Sequence, residues 1–78
     1  MKKVYIVKRG DVILQISTNL KAAYGCLEAN ISKMDSNYMR SYMQLTRIFK
    51  KQNYFNVPSD SGPKWEITRL PVVSYFVK

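Results

Sequence analysis

Cationic side chains are the most abundant chemically active groups of this chain. Its 78 residues include 13 lysines and arginines against five aspartates and glutamates, which gives a formal net charge of +8. Four of the cations and none of the acids fall between residues 37 and 53. Ammonium and guanidinium groups at that density bind phosphates, and an arginine can also contact a guanine edge through two hydrogen bonds. The segment around Arg47 therefore predicts a polyanion-binding surface.

Residues that support catalysis or bind metals are sparse. The sequence has no histidine, which removes the commonest general base and the commonest metal ligand. The acids stand singly along the chain, and we interpret them as solvated surface charges: Asp11, Glu28, Asp35, Asp60 and Glu66. The three glycines are isolated, so the sequence has no glycine-rich phosphate loop. We predict a protein that is not an enzyme and that uses neither a metal nor a cofactor.

Cysteine content and hydropathy indicate the compartment. The single cysteine, Cys26, excludes an internal disulfide and is interpreted as an inert thiol. No apolar stretch approaches the length of about 20 residues that a membrane-spanning helix needs, and no secretion signal is recognisable. The prediction is a cytoplasmic protein that does not enter a membrane.

Apolar periodicity predicts a hairpin followed by two helices. Runs of β-forming residues at 3–8 and 11–16, separated by Arg9 and Gly10, indicate the hairpin. Its alternating apolar residues are predicted to share one face: Val4, Ile6, Val12, Leu14 and Ile16. We expect Ser17 or Thr18 to cap the first helix. One apolar stripe is predicted to pack this helix on the hairpin: Leu20, Tyr24, Leu27, Ile31 and Met34.

The second helix is predicted over about 38–52, after a loop at 32–37. If Ser41 is its N-cap, the helix begins just after that residue and Arg40 lies in the preceding loop. Gly25, within the first helix, indicates either the close approach of another backbone or no special role.

The C-terminal part of the chain predicts a return to the sheet. Residues 53–63 carry loop signals around a short β-forming run at 54–57, and residues 64–70 alternate in polarity, with Trp65 and Ile67 on one face. A further strand is predicted at 72–77, after Pro71, which marks a bend or a sheet edge. The fold class is α+β, a single domain of residues 1–78 in the order β-β-α-α-β(-β). An antiparallel sheet, made of the N-terminal hairpin and the C-terminal strands, is covered on one face by two helices.

The second helix is the predicted working surface because its apolar and basic residues lie on opposite sides. We predict contacts with nucleic acid, DNA or RNA, through five residues: Arg40, Gln44, Arg47, Lys50 and Lys51. In this interpretation Arg47 binds a guanine edge or a phosphate, Gln44 binds an adenine, and the lysines attract phosphates. A protein partner is the alternative, because small soluble domains need charged helix faces and because tyrosines suit protein interfaces as well as base stacking.

The sequence also resembles known groups of proteins. It loosely resembles small uncharacterised proteins of gut bacteria and their tailed phages. Four segments carry this resemblance: a Val-Tyr-Ile-Val hairpin, a Thr-Asn-Leu-Lys-Ala-Ala-Tyr helix start, a Ser-Tyr-Met-Gln-Leu-Thr-Arg-Ile-Phe-Lys-Lys helix and a Trp-Glu-Ile-Thr-Arg-Leu-Pro strand. More distantly, the chain is similar to the modular DNA-binding repeats of homing endonucleases. The similarity lies in a hairpin followed by a helix that begins Ser-Thr-Asn-Leu-Lys-Ala-Ala and a second helix that ends in Arg-Ile-Phe-Lys-Lys. That similarity implies that Ser41, Gln44, Arg47 and Lys51 face nucleic acid. A phage origin implies the host cell cytoplasm and, as the alternative function, binding to a host or virion protein as an inhibitor or structural component.

Overall fold

The computed structural model describes residues 2–60 and 62–72. Its elements are β1 (Lys2–Arg9), β2 (Val12–Ser17), α1 (Leu20–Asn30), a 3₁₀ turn (Asp35–Tyr38), α2 (Tyr42–Lys51), β3 (Tyr54–Val57) and β4 (Trp65–Val72). The strands form one antiparallel sheet in the order β2-β1-β4-β3. The predicted α+β class and element order are confirmed, with β3 supplied by the short run at 54–57. Beyond Val72, the strand predicted at 72–77 lies outside the described residues.

The core lies between the helices and one face of the sheet. On β1, β4 and β3 the residues Val7, Ile67 and Phe55 stand opposite one another and are buried. They form one cluster with buried residues of both helices, of which Leu27 of α1 and Leu45 of α2 are fully buried. Burial of each such side chain stabilises the fold by about 1.5–3 kcal/mol. In addition, α1 contacts β1 and β2, as predicted.

The hairpin differs from its prediction because β2 contains a bulge. Val7 pairs with Gln15, whereas the next residue, Lys8, pairs with Ile13, so that Leu14 is the extra residue. A bulge reverses the alternation of side chains beyond it. As a result Val4, Ile6 and Ile16 share the face that points away from the helices, whereas Val12 and Leu14 lie on the helix side. The prediction of one common face for these five residues is therefore wrong.

The hairpin turn consists of Gly10 and Asp11, one residue later than predicted. Gly10 has a φ of +60°, and no other described residue has a positive φ. A glycine with positive φ followed by a residue with negative φ is the pattern of a type II′ turn, whose twist matches that of the strands.

The first helix also differs in detail. Its N-cap is Asn19, whose side chain accepts a hydrogen bond of 2.7 Å from the Ala22 N–H, rather than Ser17 or Thr18. Met34 is 63% exposed because the helix ends at Asn30, so the predicted stripe does not reach it. No atom of the described residues lies within 4 Å of the position of a Cβ atom on Gly25, so none of their backbones approaches it closely.

The interpretation of all acids as solvated surface charges is wrong for Asp35. This residue begins the 3₁₀ turn, within the predicted loop, and it is fully buried. Its carboxylate accepts hydrogen bonds from the Trp65 indole N–H at 3.0 Å, the Ser59 hydroxyl at 2.7 Å and the Asp60 N–H at 3.1 Å. These hydrogen bonds, that from Trp65 above all, lower the pKa of Asp35 to about 2. Through its hydrogen bonds to Ser59 and Asp60, the carboxylate connects the 3₁₀ turn before α2 to the loop between β3 and β4.

Pro71 lies at an edge of the sheet, as predicted. The Arg69 N–H points toward β3 and donates to the Asn53 carbonyl at 2.7 Å. Because N–H groups alternate along a strand, the nitrogen of Pro71 faces the same side, beyond the point where β3 pairs with β4. The missing N–H of proline therefore costs no ladder hydrogen bond there.

Candidate nucleic-acid interface

The second helix begins with a capping box that uses two of the residues singled out in the sequence. The Ser41 hydroxyl accepts a hydrogen bond from the Gln44 N–H at 3.2 Å, and the Gln44 side chain accepts one from the Ser41 N–H at 3.0 Å. Two otherwise unpaired donors of the first turn are thereby satisfied. The helix thus spans Tyr42–Lys51, the shorter of the two predicted alternatives, and Lys50 and Lys51 lie in its last turn, where cations are favourable.

The predicted contact residues are all exposed, but they do not form one group. Arg47 and Lys51, four residues apart, lie on the outer side of α2, and Lys50 lies next to them toward α1. Arg40 precedes the helix, and its carbonyl accepts a hydrogen bond from the Tyr24 hydroxyl at 3.0 Å. The Oε1 atom of Gln44 is engaged in the capping box, so a two-bond contact with adenine would require that box to open.

An open groove of about 550 Å³ lies beside the basic helix, at the end of the sheet where β1 begins. We call it the basic groove. It is lined by one side of α2, the start of α1 and two strands: Lys3, Tyr5, Thr18, Asn19, Leu20, Tyr42, Thr46, Phe49, Lys50 and Arg69. Tyr5 packs edge to face on Phe49, with ring centroids 5.9 Å apart, which joins β1 to α2 at the floor of the groove.

Among the described residues, three cations and no acid line the basic groove. Lys3 and Lys50 are exposed and Arg69 is half-buried. Within the described part of the chain, none of the three forms an ion pair with a carboxylate; the pair that is present joins Lys8 to Glu66, at 3.7 Å, on the other face of the sheet. Like charges that converge without a counter-ion repel each other, and a bound anion relieves this repulsion.

The guanidinium group of Arg69 is held in place by uncharged partners. Its Nε and Nη2 atoms donate to the Asn53 side-chain oxygen at 3.1 and 2.9 Å, and Nη2 also donates to the Gln52 carbonyl at 3.5 Å. The group lies 5.6 Å from the centre of the Phe49 ring. An amide oxygen orients the guanidinium group without neutralising it, so Arg69 keeps its positive charge in a fixed position.

Lys3 and Arg69 were missed from the sequence, because they lie far from the second helix along the chain. The pairing of Tyr5 with Arg69 and of Lys3 with Pro71 brings the two cations to the same end of the sheet. The sequence did contain one signal. Lys3 stands two positions from the core-facing Tyr5, and Arg69 stands two positions from the core-facing Ile67, so each cation lies on the same side of its strand as that residue. This signal becomes informative only when the β1–β4 register is known.

Comparisons with protein-family models, with curated proteins and with solved structures find no match. No helix among the described residues is long and apolar enough to cross a membrane. The same residues contain no group of three histidine, cysteine, aspartate or glutamate side chains arranged to hold a metal ion.

Proposed function

We propose that this chain is a non-catalytic nucleic-acid-binding module that works in the cytoplasm. Its contact surface consists of the basic groove and the outer side of α2. The observation that supports this most strongly is the convergence of Lys3, Lys50 and Arg69 on one open groove, which no carboxylate of a described residue lines. The outer-face cations Arg47 and Lys51 extend the positive surface along the helix.

The geometry suits the sugar-phosphate backbone. Lysines attract phosphates without strict geometry. In Arg69 the Nε and Nη2 atoms already donate to Asn53 and Gln52, so a phosphate would accept from Nη1 alone. The Nη1 atom of Arg69 makes no hydrogen bond to another described residue, so its donors remain for a ligand. The start of α1 at Asn19 and Leu20 adds the positive end of a helix dipole to the same groove.

Binding to a host or virion protein is the second candidate function. The observation that favours it is an exposed apolar face of the sheet, on the side away from the helices. Ile16 and Leu70 on that face are 59% and 45% exposed. Exposed apolar patches of this kind often mark contacts with another protein.

The test is fluorescence anisotropy of labelled duplex DNA and single-stranded RNA across a salt series. If each of the five cations of the proposed surface neutralises one phosphate, the log–log slope for duplex DNA is about −4.5. The double variant K3Q/K50Q leaves three of them and predicts a slope of about −2.7.

The matched control is K33Q/K64Q, which removes the same charge elsewhere. Lys33 follows α1, a helix of 11 residues that begins at the groove, and Lys64 lies next to the hairpin turn at the other end of β4. The control is expected to keep the wild-type slope. An equal decrease of the salt slope in both double variants would show an unspecific effect of net charge. Absence of binding at low salt would reject the proposed function.

A further inference from the structure

The basic groove contains an exposed aromatic ring. Three aromatic side chains line this groove: Phe49 is buried, Tyr5 is half-buried, and Tyr42 is exposed at 36%. The Tyr42 hydroxyl makes no hydrogen bond to another described residue. Tyr42 therefore offers a ligand in the groove both a ring surface and a free hydroxyl group.

Neighbouring residues hold the Tyr42 ring in place. The Tyr24 ring meets it edge to face, with ring centroids 5.7 Å apart. Tyr24 packs against the core, and its hydroxyl donates to the Arg40 carbonyl at 3.0 Å. In addition, Tyr42 is the first residue of α2, directly after the N-cap Ser41. A ring that is already held in place loses little conformational entropy when a ligand stacks on it.

The cations of the groove lie around this ring. Tyr42, Thr46 and Lys50 follow one another at intervals of four on the groove side of α2. Two helical turns separate Tyr42 from Lys50, about 12 Å along the helix axis. The sheet supplies the other two cations, Lys3 and Arg69. Aromatic rings combined with a positively charged groove are typical of sites for single-stranded nucleic acid, where bases stack on the ring and phosphates meet the cations.

The shape of the groove favours a single strand over a duplex. A duplex hides the faces of its bases within the stack, and protein helices read it by entering its major groove, which is about 12 Å wide. Tyr42 and the half-buried Arg69 instead line a recess between α2, the start of α1 and the sheet. Gln44, which would read a base edge in a duplex, caps the helix. A single strand can splay its bases out and is thin enough to enter such a recess.

We propose, on the basis of the function proposed above, that the basic groove binds single-stranded nucleic acid in preference to a duplex. One base stacks on Tyr42, and the adjoining phosphates lie at the three cations of the groove. Every base has a face that can stack, so this contact is tolerant of sequence. Stacking also adds a contribution to affinity that does not depend on charge.

The test is fluorescence anisotropy with three labelled ligands of about ten nucleotides, a length within the range of single-strand sites. They are an oligothymidylate strand, a strand of the same length without bases, and a duplex. Wild type is compared with Y42L, which removes the ring, and Y42F, which keeps it. Y54L is the matched control, because Tyr54 is 49% exposed but lies on the sheet face that points away from the helices. Circular dichroism checks that each variant is folded.

We expect wild type to bind oligothymidylate roughly tenfold more tightly than the strand without bases or the duplex. Y42L should lower the affinity for oligothymidylate roughly tenfold and leave the affinity for the strand without bases unchanged. Y42F and Y54L should keep the wild-type affinities. The salt slope of Y42L should also be unchanged, because no charge is lost, whereas K3Q/K50Q should reduce the single-strand slope by about 1.4.

Three results would overturn the single-strand site. They are a duplex bound as tightly as the single strand, a loss in Y42L that is equal with and without bases, and affinities in Y42L that match those of Y54L. The proposed function would survive each of them if K3Q/K50Q still reduced the salt slope. Absence of binding to all three ligands would reject the proposed function and the single-strand site together.

Discussion

Replacing Ser41 with alanine separates a role in helix capping from a role in nucleic-acid contact. Resemblance to homing-endonuclease repeats implies that Ser41 faces nucleic acid, whereas its hydroxyl accepts the Gln44 N–H at 3.2 Å as the N-cap of α2. Loss of an N-cap hydrogen bond costs about 1 kcal/mol. In a domain of this size that lowers the melting temperature by about 4–8 °C. We expect this decrease in S41A, without a change in nucleic-acid affinity.

Thermal unfolding followed by circular dichroism measures the first quantity, and anisotropy at a temperature where the variant is fully folded measures the second. S41N is the matched control, because asparagine also caps helices and should restore most of the melting temperature. A variant S41A with wild-type stability would contradict the capping role. A folded S41A with several-fold weaker binding would return Ser41 to the contact surface.

Two further predictions concern the stability of the fold. The folded-state pKa of Asp35, about 2, lies below its ordinary value of 3.8, so its stabilisation is present above about pH 4 and is lost as pH falls toward 2. S59A removes one of its hydrogen bonds and should shift acid unfolding to higher pH; an unchanged midpoint would contradict this. G10A should destabilise by at least about 1–2 kcal/mol, because Gly10 has a φ of +60° and its Cβ would lie 2.7 Å from that of Pro63. G25A should instead stabilise the fold by about 0.5–1 kcal/mol, because no described atom lies within 4 Å of the added Cβ. If the melting temperature fell in both G10A and G25A, the expected contrast between the two glycines would be refuted.

The parts of the fold that follow from local patterns were predictable. The second helix has a serine cap and a two-sided sequence, and β4 alternates around Trp65 and Ile67, so each is encoded within about ten neighbouring residues. The bulge at Leu14 was not predictable, because a strand such as β2 that is apolar at successive positions can place either set of side chains on the core.

The burial of Asp35 and the basic groove could not be predicted from the sequence because both depend on contacts between residues far apart along the chain. Asp35 is buried only because Ser59, Asp60 and Trp65, more than 20 residues away, supply three donors. The basic groove likewise depends on the register that sets β1 against β4. Arg47, Lys50 and Lys51 were identified correctly as exposed cations because a helix with one apolar side must expose the other.

The central claim is that the basic groove and the outer side of α2 bind nucleic acid together. The most direct measurement is a titration of the isotope-labelled protein with a short oligonucleotide, followed by amide chemical shifts. The account predicts shifts at Lys3, Asn19, Arg69 and along α2, with little change at Ile16 and Leu70. Shifts confined to Ile16, Leu70 and their neighbours on the sheet face that points away from the helices, or no shifts at low salt, would contradict it.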